Sequence, residues 1–145
     1  MKFQTDYSHC GAAAMANALR ALGLVFGEDA VAAVAGTDGD GTSAVKMKRA
    51  ARELGAQVRV ISERNYYAAR AQLICSLDAG EPAVLIVDKG EHWVTAIGLL
   101  GLQVLVFDPA GEVRDHNSLL DSEELERAWK VGGRYYALVV REKED

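Results

Sequence analysis

The chain has 145 residues, 50% of them hydrophobic and 26% charged, with a formal net charge of −5 and only two prolines and two cysteines. That length suits one compact domain over residues 1–145, and the apolar content excludes a disordered chain. The acidic balance argues against a nucleic-acid partner, and no apolar run approaches the roughly 20 residues of a membrane span.

In chain order, apolar residues at Ala12, Met15, Ala16, Leu19 and Leu22 predict a helix over 10–22, closed by Gly23. A short Ala/Val-rich helix over 28–35 follows. The glycine-rich stretch 36–42 then leads into a third helix over 43–54, capped by Thr42 or Ser43 and closed by Gly55. Its basic residues Lys46, Lys48, Arg49 and Arg52 read as a solvated helix face. Residues 57–61 alternate as a strand, and 66–77 have helical spacing. Strands are predicted at 83–87, 92–99 and 103–107, a helix at 118–129 and a last strand at 135–140. The expected class is α+β, with N-terminal helices packed on a C-terminal antiparallel sheet.

Gly39, Gly41 and Ala44 fit a dinucleotide-binding pattern, but the helical residues before them deny it the strand it needs. A calcium loop would need a glutamate where Arg49 stands. Two cysteines and three histidines match no structural zinc spacing, so neither a metal nor an organic cofactor is expected. The segment 1–6 lacks the apolar core of a signal peptide, which predicts a cytoplasmic location.

Cys10 stands where a loop turns into the first helix. A helix N-terminus presents unpaired N–H groups and the positive end of the dipole, which favour the reactive thiolate. A buried small hydrophobe is the alternative reading of the same residue. A nucleophilic cysteine needs a base and the base an orienter. Of the three histidines, His116 lies in a polar turn and His9 adjoins Cys10 in sequence, whereas His92 begins a strand.

Hairpin parity supplies the orienter. A turn centred on Leu100 would set His92 opposite Asp108, and one centred on Gly101 would make them diagonal neighbours on one face. Only a loop with an even number of residues would separate their faces. Pro109 ends the strand just after Asp108. Acyl transfer also requires an oxyanion donor, and Gln4, six residues before Cys10, offers a side-chain amide. Cys75, within an apolar helical run, reads as core, as do Trp93, Trp129 and the pair Tyr135 and Tyr136.

The order Gln4, Cys10, His92, Asp108 resembles the papain-like cysteine peptidases. The stretches Cys10-Gly11-Ala12-Ala13-Ala14, Gly41-Thr42-Ser43, His92-Trp93-Val94 and Val106-Phe107-Asp108-Pro109-Ala110 resemble the bacteriocin-processing family, which trims leader peptides after a double glycine. The resemblance covers residues 3–140. It implies a papain-like fold, with Cys10 as nucleophile, His92 as general base and acid, Asp108 as orienter and Gln4 in the oxyanion hole. The best-known members are N-terminal domains of ABC exporters, which makes an exporter a candidate partner, and His9 stands where the family often has an acidic residue. The expectation is a stand-alone cysteine peptidase acting on a peptide or protein substrate. Two alternatives share these residues: an acyltransferase or deamidase, and a peptidase-like domain that binds peptides without cutting them.

Overall fold

The computed structural model describes residues 10–37, 43–87, 92–108 and 117–143. Three helices come first: α1 (Cys10–Ala21), α2 (Glu28–Ala35) and α3 (Ala44–Glu53). They are followed by β1 (Ala56–Glu63), α4 (Tyr66–Asp78), β2 (Ala83–Val87), β3 (His92–Leu100), β4 (Gln103–Phe107) and β5 (Asn117–Leu120). α5 (Ser122–Trp129), β6 (Lys130–Val131) and β7 (Arg134–Glu142) complete the described elements. The strands form one antiparallel sheet in the order β1-β7-β2-β3-β4-β5, with β6 paired to β7.

Helices cover both faces of that sheet. On one face Met15 and Leu19 of α1, Val31 of α2 and Met47 of α3 pack with Val84, Trp93 and Leu138. On the other, Leu73 of α4 and Leu125 and Trp129 of α5 pack with Leu85, Val94, Val106 and Val139. Adjacent residues of β2, Val84 and Leu85, thus enter different cores, which is why this strand reads as the unbroken run Ala-Val-Leu-Ile-Val. Each fully buried aliphatic side chain contributes about 1.5–3 kcal/mol.

Two elements differ from the sequence expectation. The predicted helix at 118–129 is a strand followed by a shorter helix, because Asp121 caps α5 in a reciprocal box. Its carboxylate accepts from the Glu124 amide at 2.9 Å, and the Glu124 carboxylate accepts from the Asp121 amide at 3.2 Å. Residues 117–120 are thereby released to pair with β4. The unpredicted β6 turns back into β7 through Gly132 and Gly133, whose φ angles of 57° and 75° suit a two-residue hairpin turn.

The basic face of α3 is also more than solvated. Lys46 Nζ donates to the Gly36 carbonyl at 3.3 Å, and Arg49 Nη2 donates to the carbonyls of Val34 and Ala35 at 3.3 and 3.2 Å. Two cations therefore hold the C-terminal end of α2, where the helix dipole is negative. Ser43 is the residue that caps α3.

Candidate active site

The sheet end formed by the start of β3 and the end of β4 carries His92 and Asp108. Their approach depends on two compensating features of the hairpin. Leu100 pairs with Gln103, so the connection is the two-residue turn Gly101-Leu102, the even-numbered case that would separate the faces. A β-bulge between Ala96 and Gly98 then adds one residue to β3 and restores the parity. Beyond the bulge Ala96 pairs with Val106 and Thr95 with Phe107. Continued by one residue, that register sets Asp108 diagonal to His92 on a shared face. The expected one-residue-centred turns are thus replaced by a tight turn plus a bulge.

His92 Nε2 lies 2.5 Å from Asp108 Oδ1, with the two side chains only 14% and 22% exposed. One ring nitrogen is thereby occupied by the carboxylate, and the other is left for the thiol. The half-buried Cys10 begins α1, and its thiol faces His92 and the Trp93 backbone amide. Burial pushes the Cys10 thiol up. The His92 hydrogen bond, the Trp93 amide, the His92 charge and the Gly11 amide together outweigh it and hold the thiol below its ordinary value. Burial alone would likewise lower His92. Hydrogen bonds to Asp108 and Cys10, with the charges of both, instead raise it to about 9.

One further contact joins the elements that carry these groups. The fully buried Thr95 Oγ1 donates to the carbonyl of Ala14 at 2.7 Å. From Ala14 back to Cys10 is about 6 Å of helix, and from Thr95 back to His92 about 10 Å of strand. α1 and β3 therefore run alongside each other and begin at the same end of the sheet. Sequence inspection does not find this tie, because its partners are 81 residues apart and the acceptor is a main-chain carbonyl.

Of the expected site residues, Cys10, His92 and Asp108 come together. Gln4 lies outside the described residues, as do His9 and His116. Trp93, Trp129 and Tyr135 are buried, as expected of packing residues, and Tyr136 is only partly buried against the core that holds Trp93. Cys75 is a correction: it is exposed on α4 rather than core. Leu73 and Leu77 mark the buried stripe, and Cys75 is roughly 200° around the helix from Leu73. Both cysteines are free thiols. Among the described residues no group of three or more His, Cys, Asp or Glu side chains could hold a metal ion, and no helix is long and apolar enough to cross a membrane.

The family model described as the peptidase C39 family matches residues 1–145. Solved structures with the same fold include the peptidase domain of Streptococcus ComA, a bi-functional ABC transporter involved in a quorum-sensing pathway. It is 22% identical with a TM-score of 0.77, over 98% of this chain and 97% of that one. A double-glycine-motif protease from an AMS/PCAT transporter, solved with its leader peptide, is 21% identical with a TM-score of 0.74, over 97% and 89% of the two chains. A C39-like peptidase from Bacillus anthracis is 15% identical with a TM-score of 0.76, over 100% and 95%. No curated protein matches the sequence.

Proposed function

Because the chain belongs to the peptidase C39 family, we propose that it is a cysteine peptidase that hydrolyses peptide bonds through Cys10, His92 and Asp108. The observation that carries this reading is one imidazole, held at 2.5 Å by a carboxylate, that also faces the thiol at a helix N-terminus. A thiol held below its ordinary value beside an imidazole raised to about 9 favours the thiolate–imidazolium pair that a nucleophile and a general acid require.

The Cys10 thiolate attacks the scissile carbonyl carbon, and the carbonyl π electrons move onto oxygen. As the first residue of α1, Cys10 has an N–H with no acceptor inside the helix, and this N–H and the Gln4 amide hold the oxyanion. When the intermediate collapses, the carbon–nitrogen bond breaks and His92 gives its proton to the leaving amine. A thioester on Cys10 remains. His92, now neutral, takes a proton from water as that water attacks the thioester, and the reprotonated imidazolium is left beside the free thiolate when the acid departs. Asp108 orients the ring throughout and stabilises its cationic form.

The substrate we propose is a peptide with a double-glycine leader, on the strength of the AMS/PCAT protease solved with its leader peptide. An exporter is the proposed partner, and the cytoplasm, where leaders are met before export, is the proposed location. Incubating the full chain with a double-glycine peptide and identifying the products by mass spectrometry tests the reaction. Two fragments, with one water added across the cleaved bond, are expected. An amine adduct that replaces the acid product when a primary amine is supplied would make the chain an acyltransferase. Bound but uncut peptide would make it a binding module.

The electrostatics set the pH profile. kcat/KM is expected to rise as Cys10 ionises below the ordinary thiol range and to fall through about 9 as His92 loses its proton. Asp108→Asn removes the charge that raises His92, so the alkaline limb should move down by about one to two units. An unmoved alkaline limb in that variant would detach Asp108 from the ring. Gln4→Ala is expected to lower kcat by about 10²–10³-fold with little change in KM, the cost of one oxyanion donor. An unchanged kcat would remove Gln4 from the site.

A further inference from the structure

We propose that Thr95 is a positioning residue that sets the approach of Cys10 to His92 by tying the first turn of α1 to β3. The proposal rests on the catalytic reading above and assigns a role to a side chain that touches neither substrate nor reacting atoms.

Thr95 is fully buried on a strand whose neighbours Trp93, Val94 and Ala96 are apolar and buried. A valine would fill the same volume without a hydroxyl to desolvate, so packing alone gives no reason for threonine. The acceptor does not need the bond either, since a helical carbonyl already receives the amide four residues on. What the bond adds is direction. The α1 turn that carries the nucleophile consists of Gly11, Ala12, Ala13 and Ala14, all small and all buried. Such a surface lets helix and sheet pack closely but offers no large side chain to interlock, and the first such residue is Met15.

A hydrogen bond of 2.7 Å from a β-branched side chain with restricted χ1 supplies the missing constraint along the helix axis. It lies four residues from Cys10 and three from His92. Thr95 also pairs across the sheet with Phe107, the neighbour of Asp108. One side chain therefore references the nucleophile's helix to both strands that carry the base and its orienter. The short reach of the thiol–imidazole contact makes that reference matter, because displacement of about 1 Å at a reacting pair costs on the order of 10²-fold in rate.

The test compares the full chain carrying Cys75→Ala, in which Cys10 is the remaining thiol, with the same chain carrying Thr95→Val or Thr95→Ser. The alkylation rate of Cys10 by iodoacetamide is followed against pH, and kcat, KM and Tm are measured on a double-glycine peptide. Thr95→Val should move the acid limb of alkylation up by about one unit and lower kcat about tenfold, with KM within about twofold. Thr95→Ser, which keeps the hydroxyl, should restore both. A folded valine variant with a lowered Tm but an unmoved acid limb and kcat overturns the proposal and leaves the peptidase reading intact. A folded serine variant with a displaced acid limb overturns it as well, and this arm remains decisive if the valine variant does not fold. If the parent chain neither cleaves peptides nor alkylates Cys10 at acid pH, the catalytic reading falls and this role falls with it.

Discussion

Cys10→Ala should abolish peptide hydrolysis, a loss of at least about 10⁴-fold in kcat, while leaving the fold and peptide binding in place. The sulfur is the atom that forms the bond to the acyl carbon, and alanine has nothing to replace it. Structurally the change is mild, because Cys10 is only half-buried and alanine is the best helix former. Circular dichroism and a binding isotherm for an uncleavable peptide are therefore expected to match the parent. Cys75→Ala should retain full turnover, since the exposed Cys75 sits on α4, away from the buried stripe of that helix. Because Cys75 is exposed, it will take up an electrophile of its own accord, so labelling must be read in a chain from which it has been removed. Residual hydrolysis well above about 0.01% of the parent in Cys10→Ala would contradict the assignment.

His92→Ala should lower kcat by about 10³-fold or more and change the chemistry of the thiol that remains. The causes that hold Cys10 below its ordinary value include both a hydrogen bond and a charge from His92. With these gone, burial, which pushes the thiol up, is opposed only by the backbone amides of Trp93 and Gly11. The acid limb of alkylation should therefore move to higher pH by more than one unit, so that Cys10 is largely a neutral thiol at pH 7. The sign is specific to an ion pair: removing a base that merely collected protons during turnover would lower kcat without moving the thiol. Asp108→Asn should leave the acid limb closer to the parent, because Asp108 acts on the thiol only through the ring.

The pairing of His92 with Asp108 was legible from strand parity, but not for the reason parity suggested. The turn is the even-numbered Gly101-Leu102, and the faces are reconciled by the bulge before Gly98. A glycine inside an apolar strand run is a mark of a bulge, and Gly98 carries that mark in the sequence. The helix ends were legible where side chains or glycines make them, as at Ser43, Gly23 and Gly55. The division of 117–129 into strand and helix followed from Asp121 and Glu124, whose three-residue spacing is a capping box. Cys75 reads as core in sequence because Leu73, Ile74 and Leu77 around it are apolar, whereas the stripe that packs contains Leu73 and Leu77 and turns Cys75 to solvent.

Long-range geometry was the part that a linear reading could not reach. Nothing near Ala14 or Thr95 in sequence shows that a strand hydroxyl will meet a helix carbonyl 81 residues away. The same holds for the Trp93 amide that reaches the Cys10 sulfur. Both contacts follow from packing α1 along β3, a consequence of the whole sheet rather than of any motif. The covering of the sheet on both faces was likewise visible only as the unbroken apolar run of β2, which a one-sided sheet would have replaced with alternation.

The account turns on a thiolate paired with an imidazolium at the N-terminus of α1. Its most direct test is the pH dependence of iodoacetamide alkylation of Cys10 in the Cys75→Ala chain, measured with and without His92→Ala. The account predicts that the parent thiol still reacts below the pH at which an ordinary thiol titrates, and that His92→Ala abolishes this reactivity. Alkylation that rises only through the ordinary thiol range, and is the same with or without His92, would contradict it.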